Sequence, residues 1–131
     1  SVSLREDMEF ASAYIFLLKM RFENNLQFDI QIAKSFEDYR LPPMAVQVLI
    51  ENAVKHNEIS DRKPLTIHIV TNNEGYLSVS NDIQPKRTAA SGTGIGLVNL
   101  AKRYRLLFKQ DIQITEDKEF SVCIPLIDEV Q

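Results

Sequence analysis

"SGTGIGLVNLAKRYRLLF", residues 91–108, decides how this chain is read. Glycines at 92, 94 and 96 alternate with other residues and lead directly into a helical pattern. Glycine lets a backbone approach a ligand closely and adopt positive φ. The free N–H groups of a helix N-terminus attract phosphate. Leu97, Leu100, Ala101, Tyr104, Leu107 and Phe108 give the helix that follows one apolar side. The stretch is therefore a candidate polyphosphate cradle, and the alternative is a flexible linker before a helix. It is not a Walker A loop, because no Gly-Lys-Ser/Thr follows. The dinucleotide fingerprint is also absent: its third glycine would fall at Leu97, and no strand directly precedes the loop.

Upstream, "LPPMAVQVLIENAVKHN" (residues 41–57) reads as a helix opened by Pro42 and Pro43, where proline is tolerated. Val46, Leu49, Ile50 and Ala53 form its apolar face. Asn52, Lys55 and His56 share another face by their i, i+3, i+4 spacing. An amide oxygen can ligate Mg²⁺, and lysine pairs with phosphate as a point charge. A Glu51–Lys55 helix pair is the plain structural alternative. "LTIHIV" (65–70) and "YLSVSN" (76–81) are two strands joined by "TNNEG", which has hairpin chemistry. Leu77, Val79 and Asn81 point to one face. Asn81 ends that apolar face, where its amide could hydrogen-bond a buried base or simply cap the loop. The segment "DIQPKRTAASGTG" (82–94) has no periodicity and reads as a mobile loop. His68 reads as an exposed or cross-strand histidine.

The remaining segments are a helix at Ser3–Phe22, a strand "LQFDIQIA" (26–33) and two closing strands, "DIQITE" (111–116) and "EFSVCIPL" (119–126). Ser3 with Glu6 fits a capping box. Leu4, Met8, Ala11, Ile15, Leu18 and Phe22 lie at heptad spacing. That seam either packs on its own domain or continues a dimeric bundle lying upstream. Helix, strand, helix, hairpin, loop, helix and two more strands predict a two-layer α+β sandwich. The sheet should be mixed and mostly antiparallel, with the helices on one face.

The chain has 131 residues, 44% apolar and 25% charged, enough for one core. A net charge of −3 gives no electrostatic footprint for nucleic acid. Cys123 is alone, so no internal disulfide forms. Two histidines and one cysteine make no convincing zinc site. No apolar stretch is long enough to span a membrane as a helix.

Taken in order, these segments resemble the ATP-binding catalytic domain of sensor histidine kinases of the LytS/YehU type. "LPPMAVQVLIENAVKHN" resembles their N-box, and "GTGIGLVNLAKRYRLLF" their G2-box. The opening "LREDMEFASAYIFLLKMRFENNLQFDIQI" is similar to the stretch after the phosphoacceptor region. The resemblance implies a Bergerat-type (histidine kinase-like ATPase) fold over residues 25–131, with residues 1–24 as the end of an upstream dimerisation module. ATP and Mg²⁺ would be the cofactors. By likeness, Asn52 would coordinate Mg²⁺, and Lys55 would be the catalytic residue. Lys55 and His56 would lie near phosphate and nucleotide. Gly92, Thr93, Gly94, Ile95, Gly96 and Leu97 would hold the triphosphate, and Asn99 matches a polar position in the helix that follows. The lid would span about Asp82–Thr93.

Two departures accompany the likeness. Where the family carries Asp-x-Gly-x-Gly, this chain has "NDIQP". Asn81 takes the adenine-reading position, or Asp82 does if the register slips by one. An Asn oxygen can accept from adenine but cannot make the same charge-assisted bond. Residues 1–55 also contain no histidine, so the acceptor would lie on an upstream helix of the same protein or its dimer mate, and this chain should not autophosphorylate alone. Position 48 holds Val where related ATPases carry a hydrolytic Glu, which fits phosphoryl transfer instead of hydrolysis. The expected partner is a response regulator. The expected location is the cytoplasmic side of an inner-membrane-anchored sensor. A pseudokinase or nucleotide sensor of the same fold, and an anti-sigma-factor-type serine kinase, are the alternative functions.

Overall fold

The computed structural model describes residues 1–86 and 95–129. In chain order the elements are β1 (Val2–Ser3), α1 (Leu4–Phe22), β2 (Leu26–Gln31), β3 (Arg40–Leu41) and α2 (Ala45–His56). They continue with β4 (Leu65–Thr71), β5 (Tyr76–Asp82), α3 (Ile95–Phe108), β6 (Gln113–Glu116) and β7 (Glu119–Pro125). The main sheet has the order β2-β4-β5-β7-β6. β2 runs parallel to β4, and the other pairs are antiparallel. A two-stranded ladder, β1 with β3, stands apart. The expected mixed, mostly antiparallel sandwich is what forms.

Alternation sets the two sheet faces. Leu65, Ile67, Ile69, Leu77, Val79, Val122 and Ile124 are buried on the helix side, where Leu26 joins them. The opposite face carries Asp29, His68, Ser78 and Ser121, among others. His68 Nδ1 lies 2.8 Å from Asp29 Oδ2, its neighbour in parallel register. The hairpin turn between β4 and β5 closes with Gly75 at φ 85°. Asn72 Oδ1 accepts there from the Glu74 and Tyr76 N–H groups at 2.9 and 3.0 Å.

α1 begins at the predicted capping box: Glu6 N–H donates to Ser3 Oγ at 3.1 Å, and Ser3 N–H to Glu6 Oε1 at 3.1 Å. The heptad seam packs within this domain, with Leu4, Ala11 and Leu18 buried and Met8, Ile15 and Phe22 against the core. A second apolar face of α1, including Phe10, Leu17 and Met20, stays exposed.

α2 departs from expectation at its start. Pro42 and Pro43 do not open it; they lead into Met44, at φ 67°, and the helix runs from Ala45. No side chain at Met44 caps the helix. The cap comes from α1 instead. Asp7 is 1% exposed and accepts from Met44 N–H at 2.6 Å and from Val46 N–H at 3.0 Å. Burial pushes the Asp7 carboxyl up, while the bonds from Val46 and Met44 and the charge of Arg103 pull it back down. Arg103 on α3 donates to Pro43 O at 2.5 Å. The three helices thus meet at one turn. Behind them Tyr104, fully buried, donates its hydroxyl to Pro125 O at 2.9 Å, which ties α3 to the sheet, and burial raises its pKa.

Asp7→Ala would strand two N–H groups at a buried helix end, and urea denaturation should show a loss of about 3 kcal/mol. A loss within experimental error would show that the cap contributes nothing. The second prediction concerns pH. The hydrogen bond from His68, then that from Gln31, holds the half-exposed Asp29 carboxyl below its ordinary range. A depressed carboxyl stabilises the fold above its unfolded midpoint, and that stabilisation is lost as pH falls through the depressed one. In His68→Ala the Asp29 midpoint, followed by carboxyl NMR, should move up toward the ordinary carboxylate value. An unmoved midpoint would remove His68 as the cause.

Candidate nucleotide site

The α2 sequence places different residues on its two flanks. One flank, with Val46, Leu49, Ile50 and Ala53, is buried in the core. Asn52 and His56, four residues apart, line cavities shared with Gly96 and Leu97 of α3. α3 lies close to α2 where it starts: a Cβ at Gly96 would meet Val48 Cγ1 at 3.4 Å. Between the helices and the ends of β5, β6 and β7 is a cavity of about 420 Å³. Asn52, His56 and Asn57 form its α2 wall, and Leu97 comes from α3. Ile83 and Pro85 from the strand exit, with Glu116 and Phe120 from the β6–β7 hairpin, complete it. A smaller chamber of about 70 Å³ adjoins it, bordered by Val48, Glu51, Lys55 and Gly96 and sharing Asn52, His56 and Leu97 with the larger one.

The larger chamber has apolar walls at Ile83, Leu97 and Phe120 with amides at one edge, which suits a flat heteroaromatic ring. The smaller chamber lies at the first turn of α3, where helix N–H groups lack intrahelical partners. Asn52 stands at the junction of the two. Its amide oxygen is a hard donor of the kind Mg²⁺ takes, and Lys55 adds a cation beside it.

The structure thus brings Asn52, Lys55, His56, Gly96 and Leu97 around one pair of chambers. Ile95 is the first residue of α3 and is exposed. Gly92, Thr93 and Gly94 lie outside the described residues. Asn81 and Asp82 border neither chamber. Asn81 is 1% exposed and pairs in register with Phe120, and its amide donates to Asp82 O at 2.8 Å. Asp82 is exposed at the end of β5. Ile83, one residue further on, reaches the cavity instead.

Sequence reasoning missed Asn57, Ile83, Pro85, Glu116 and Phe120. Asn57 matters most, because it holds the pocket edge. Its amide donates to Ala53 O at 2.8 Å, closing the end of α2, and its oxygen accepts from Gln84 N–H at 2.8 Å. Glu58 N–H donates to Gln84 O at 2.6 Å in the next link of the same clamp. Asn as the residue after a helical pattern was the available signal. The wall residues of the hairpin carried none, since they meet α2 only through the sheet.

No family model matches the chain. Among curated proteins it is 34% identical over 132 residues to the sensor protein LytS of Streptococcus mutans, matching 88% of this chain and 22% of that protein. It is 28% identical to LytS of Staphylococcus epidermidis, over 82% of this chain and 21% of that protein. It is 27% identical to the sensor histidine kinase BtsS of Escherichia coli, over 87% of this chain and 21% of that protein. The chain therefore spans about a fifth of the length of these relatives. Among solved structures, the nucleotide-free catalytic domain of histidine kinase ThkA superposes with a TM-score of 0.63 at 18% identity, covering 97% of this chain and 98% of that one. The mycobacterial sensor histidine kinase MprB follows at a TM-score of 0.53 and 12% identity, covering 92% and 94%. The chain is thus related over most of its length to the LytS and BtsS sensor histidine kinases, and its fold is that of a histidine kinase catalytic domain.

Proposed function

We propose that this chain is the ATP-binding kinase domain of a two-component sensor histidine kinase. It transfers the γ-phosphoryl group of ATP to a histidine on a helix outside this chain. The observation that carries the reading is the pair of joined chambers, one apolar-walled and one at the start of α3, with Asn52 between them. The residues present fit both cofactors: an apolar slot walled by Ile83, Leu97 and Phe120 for adenine, a cation and helix N–H groups for phosphates, and an amide oxygen for Mg²⁺. Mg²⁺, when bound, neutralises charge on the phosphates.

The chain's own residues do the rest. Leu97, Ile83 and Phe120 exclude water from one side of the base. Asn57 fixes the pocket edge through Gln84. Lys55 balances negative charge, which is most of what phosphoryl transfer asks of a protein. Gly92, Thr93 and Gly94, outside the described residues, are assigned to the triphosphate by the family resemblance alone. Neither Asn81 nor Asp82 borders the chambers, and this observation favours a second reading, a nucleotide-binding pseudokinase with relaxed base selectivity.

The relatives support further parts of the proposal. The acceptor helix belongs to the same protein or its dimer mate, and a response regulator takes the phosphoryl group onward. Residues 1–24 are the end of an upstream dimerisation module, a reading that the exposed Phe10, Leu17 and Met20 of α1 support. The domain works on the cytoplasmic side of a membrane-anchored sensor; among the described residues no helix is long and apolar enough to cross a membrane.

Calorimetric titration with ATP and Mg²⁺ tests the site. Saturable binding is expected, weakened about tenfold or more in Asn52→Ala, with most of the Mg²⁺ dependence lost. Binding unchanged in Asn52→Ala, or none up to millimolar ATP, would contradict the kinase assignment.

A further inference from the structure

A second cavity, of about 1000 Å³, opens on the other flank of α2, toward α1. Its floor is apolar, made by Tyr14 and Phe22 of α1, Val54 of α2 and Ile59 of the following loop. Five cations stand around it: Arg21 on α1, Lys55 on α2, Arg62 and Lys63 on the loop, and Lys86 beyond β5. Among the described residues Arg21, Arg62, Lys63 and Lys86 have no carboxylate within 4.0 Å. The two carboxylates on the rim are engaged with neutral donors. Gln47 Nε2 donates to Glu51 Oε1 at 3.1 Å, and Ser60 Oγ to Glu58 Oε2 at 2.8 Å. Five cations against two carboxylates leave the rim positive on a chain whose net charge is −3, a contrast that draws anions to one place.

The shape selects among anions. The cations come from four separate segments, α1, α2, the loop after it and the chain beyond β5, and surround an apolar floor. The cleft is also at the upper end of small-ligand volumes and more polar than such pockets usually are. A peptide with carboxylates on one side and apolar side chains on the other satisfies rim and floor together. We infer that this cleft is a docking groove for an acidic polypeptide segment with an apolar face. The inference rests on the nucleotide reading for its meaning: Glu51 and Lys55 border both the groove and the small chamber at α3. A segment held in the groove therefore lies beside the phosphate end of the site and is its polypeptide partner.

The test is an NMR titration of the isotope-labelled chain with three probes: a short amphipathic Glu/Leu peptide, its Gln/Leu counterpart and inorganic tripolyphosphate. The Glu/Leu peptide should shift Phe22, Val54 and Ile59 together with Arg62. Binding should fall about tenfold or more with the Gln/Leu peptide and in an Arg62→Glu, Lys63→Glu double variant. Both substituted residues are exposed, and an otherwise unchanged spectrum reports that the variant is folded. Shifts lying elsewhere, or equal affinity in the variant, would overturn the groove. So would tripolyphosphate moving the floor residues and displacing the peptide, which would mark a small-anion site. A titration with ATP and Mg²⁺ on the same samples separates the two readings. ATP binding retained in the variant while peptide binding is lost supports the groove. Peptide binding without any ATP binding would sink the nucleotide assignment and leave the groove standing.

Discussion

The Asp7 carboxylate is the interaction on which the rest of the structure depends. It reaches from α1 across to the N–H groups at the buried start of α2, which the left-handed Met44 leaves without a cap of their own. Arg103 then reaches from α3 to the carbonyl of Pro43 in the same turn. One carboxylate and one guanidinium thus fix three helices relative to one another. A buried carboxylate at a helix N-terminus is favoured by the N–H groups it accepts from and by the helix dipole, and burial opposes it. The net direction at Asp7 is upward, so this contact is held under desolvation, and it persists because the alternative is an unsatisfied helix end.

With its first turn fixed, α2 becomes the axis of function. Its three flanks have separate tasks. Leu49, Ile50 and Ala53 fill the core, Asn52 and His56 face the chambers at α3, and Glu51 and Lys55 stand at the boundary with the cleft toward α1. Asn57 ends the helix and pins the strand exit at Gln84, so the pocket edge is set by the same element as its polar wall. A shift of α2 by a fraction of a turn would move all of these groups at once.

Much of this was legible in the sequence because it is local. The Ser3–Glu6 box, the alternation of β4 and β5, and the N–x–x–K–H spacing on α2 each depend on residues within one element. The parts that stayed hidden are long-range. Asp7 reads as one of several charged residues at the start of α1, beside Arg5, Glu6 and Glu9, and its partners lie 37 and 39 residues away. Pro42 and Pro43 read as a helix start, yet the αL turn at Met44 and the cap from α1 move that start to Ala45. Glu116 and Phe120 enter the cavity only because β7 pairs with β5 in the register that sets Phe120 beside Asn81. The segment "NDIQP" shows the same limit from the other side. Sequence placed the polar Asn81 or Asp82 at the base, whereas the strand ends so that the apolar Ile83 reaches the cavity.

The central claim is that the chambers between α2 and α3 hold a nucleotide, and a crystal structure with a non-hydrolysable ATP analogue and Mg²⁺ tests it most directly. The account predicts the adenine between Ile83, Leu97 and Phe120, the phosphates at the first turn of α3, and the Asn52 oxygen in the metal's coordination shell. Nucleotide bound elsewhere on the chain, or density for the base with Asn52 turned away from the metal, would contradict it.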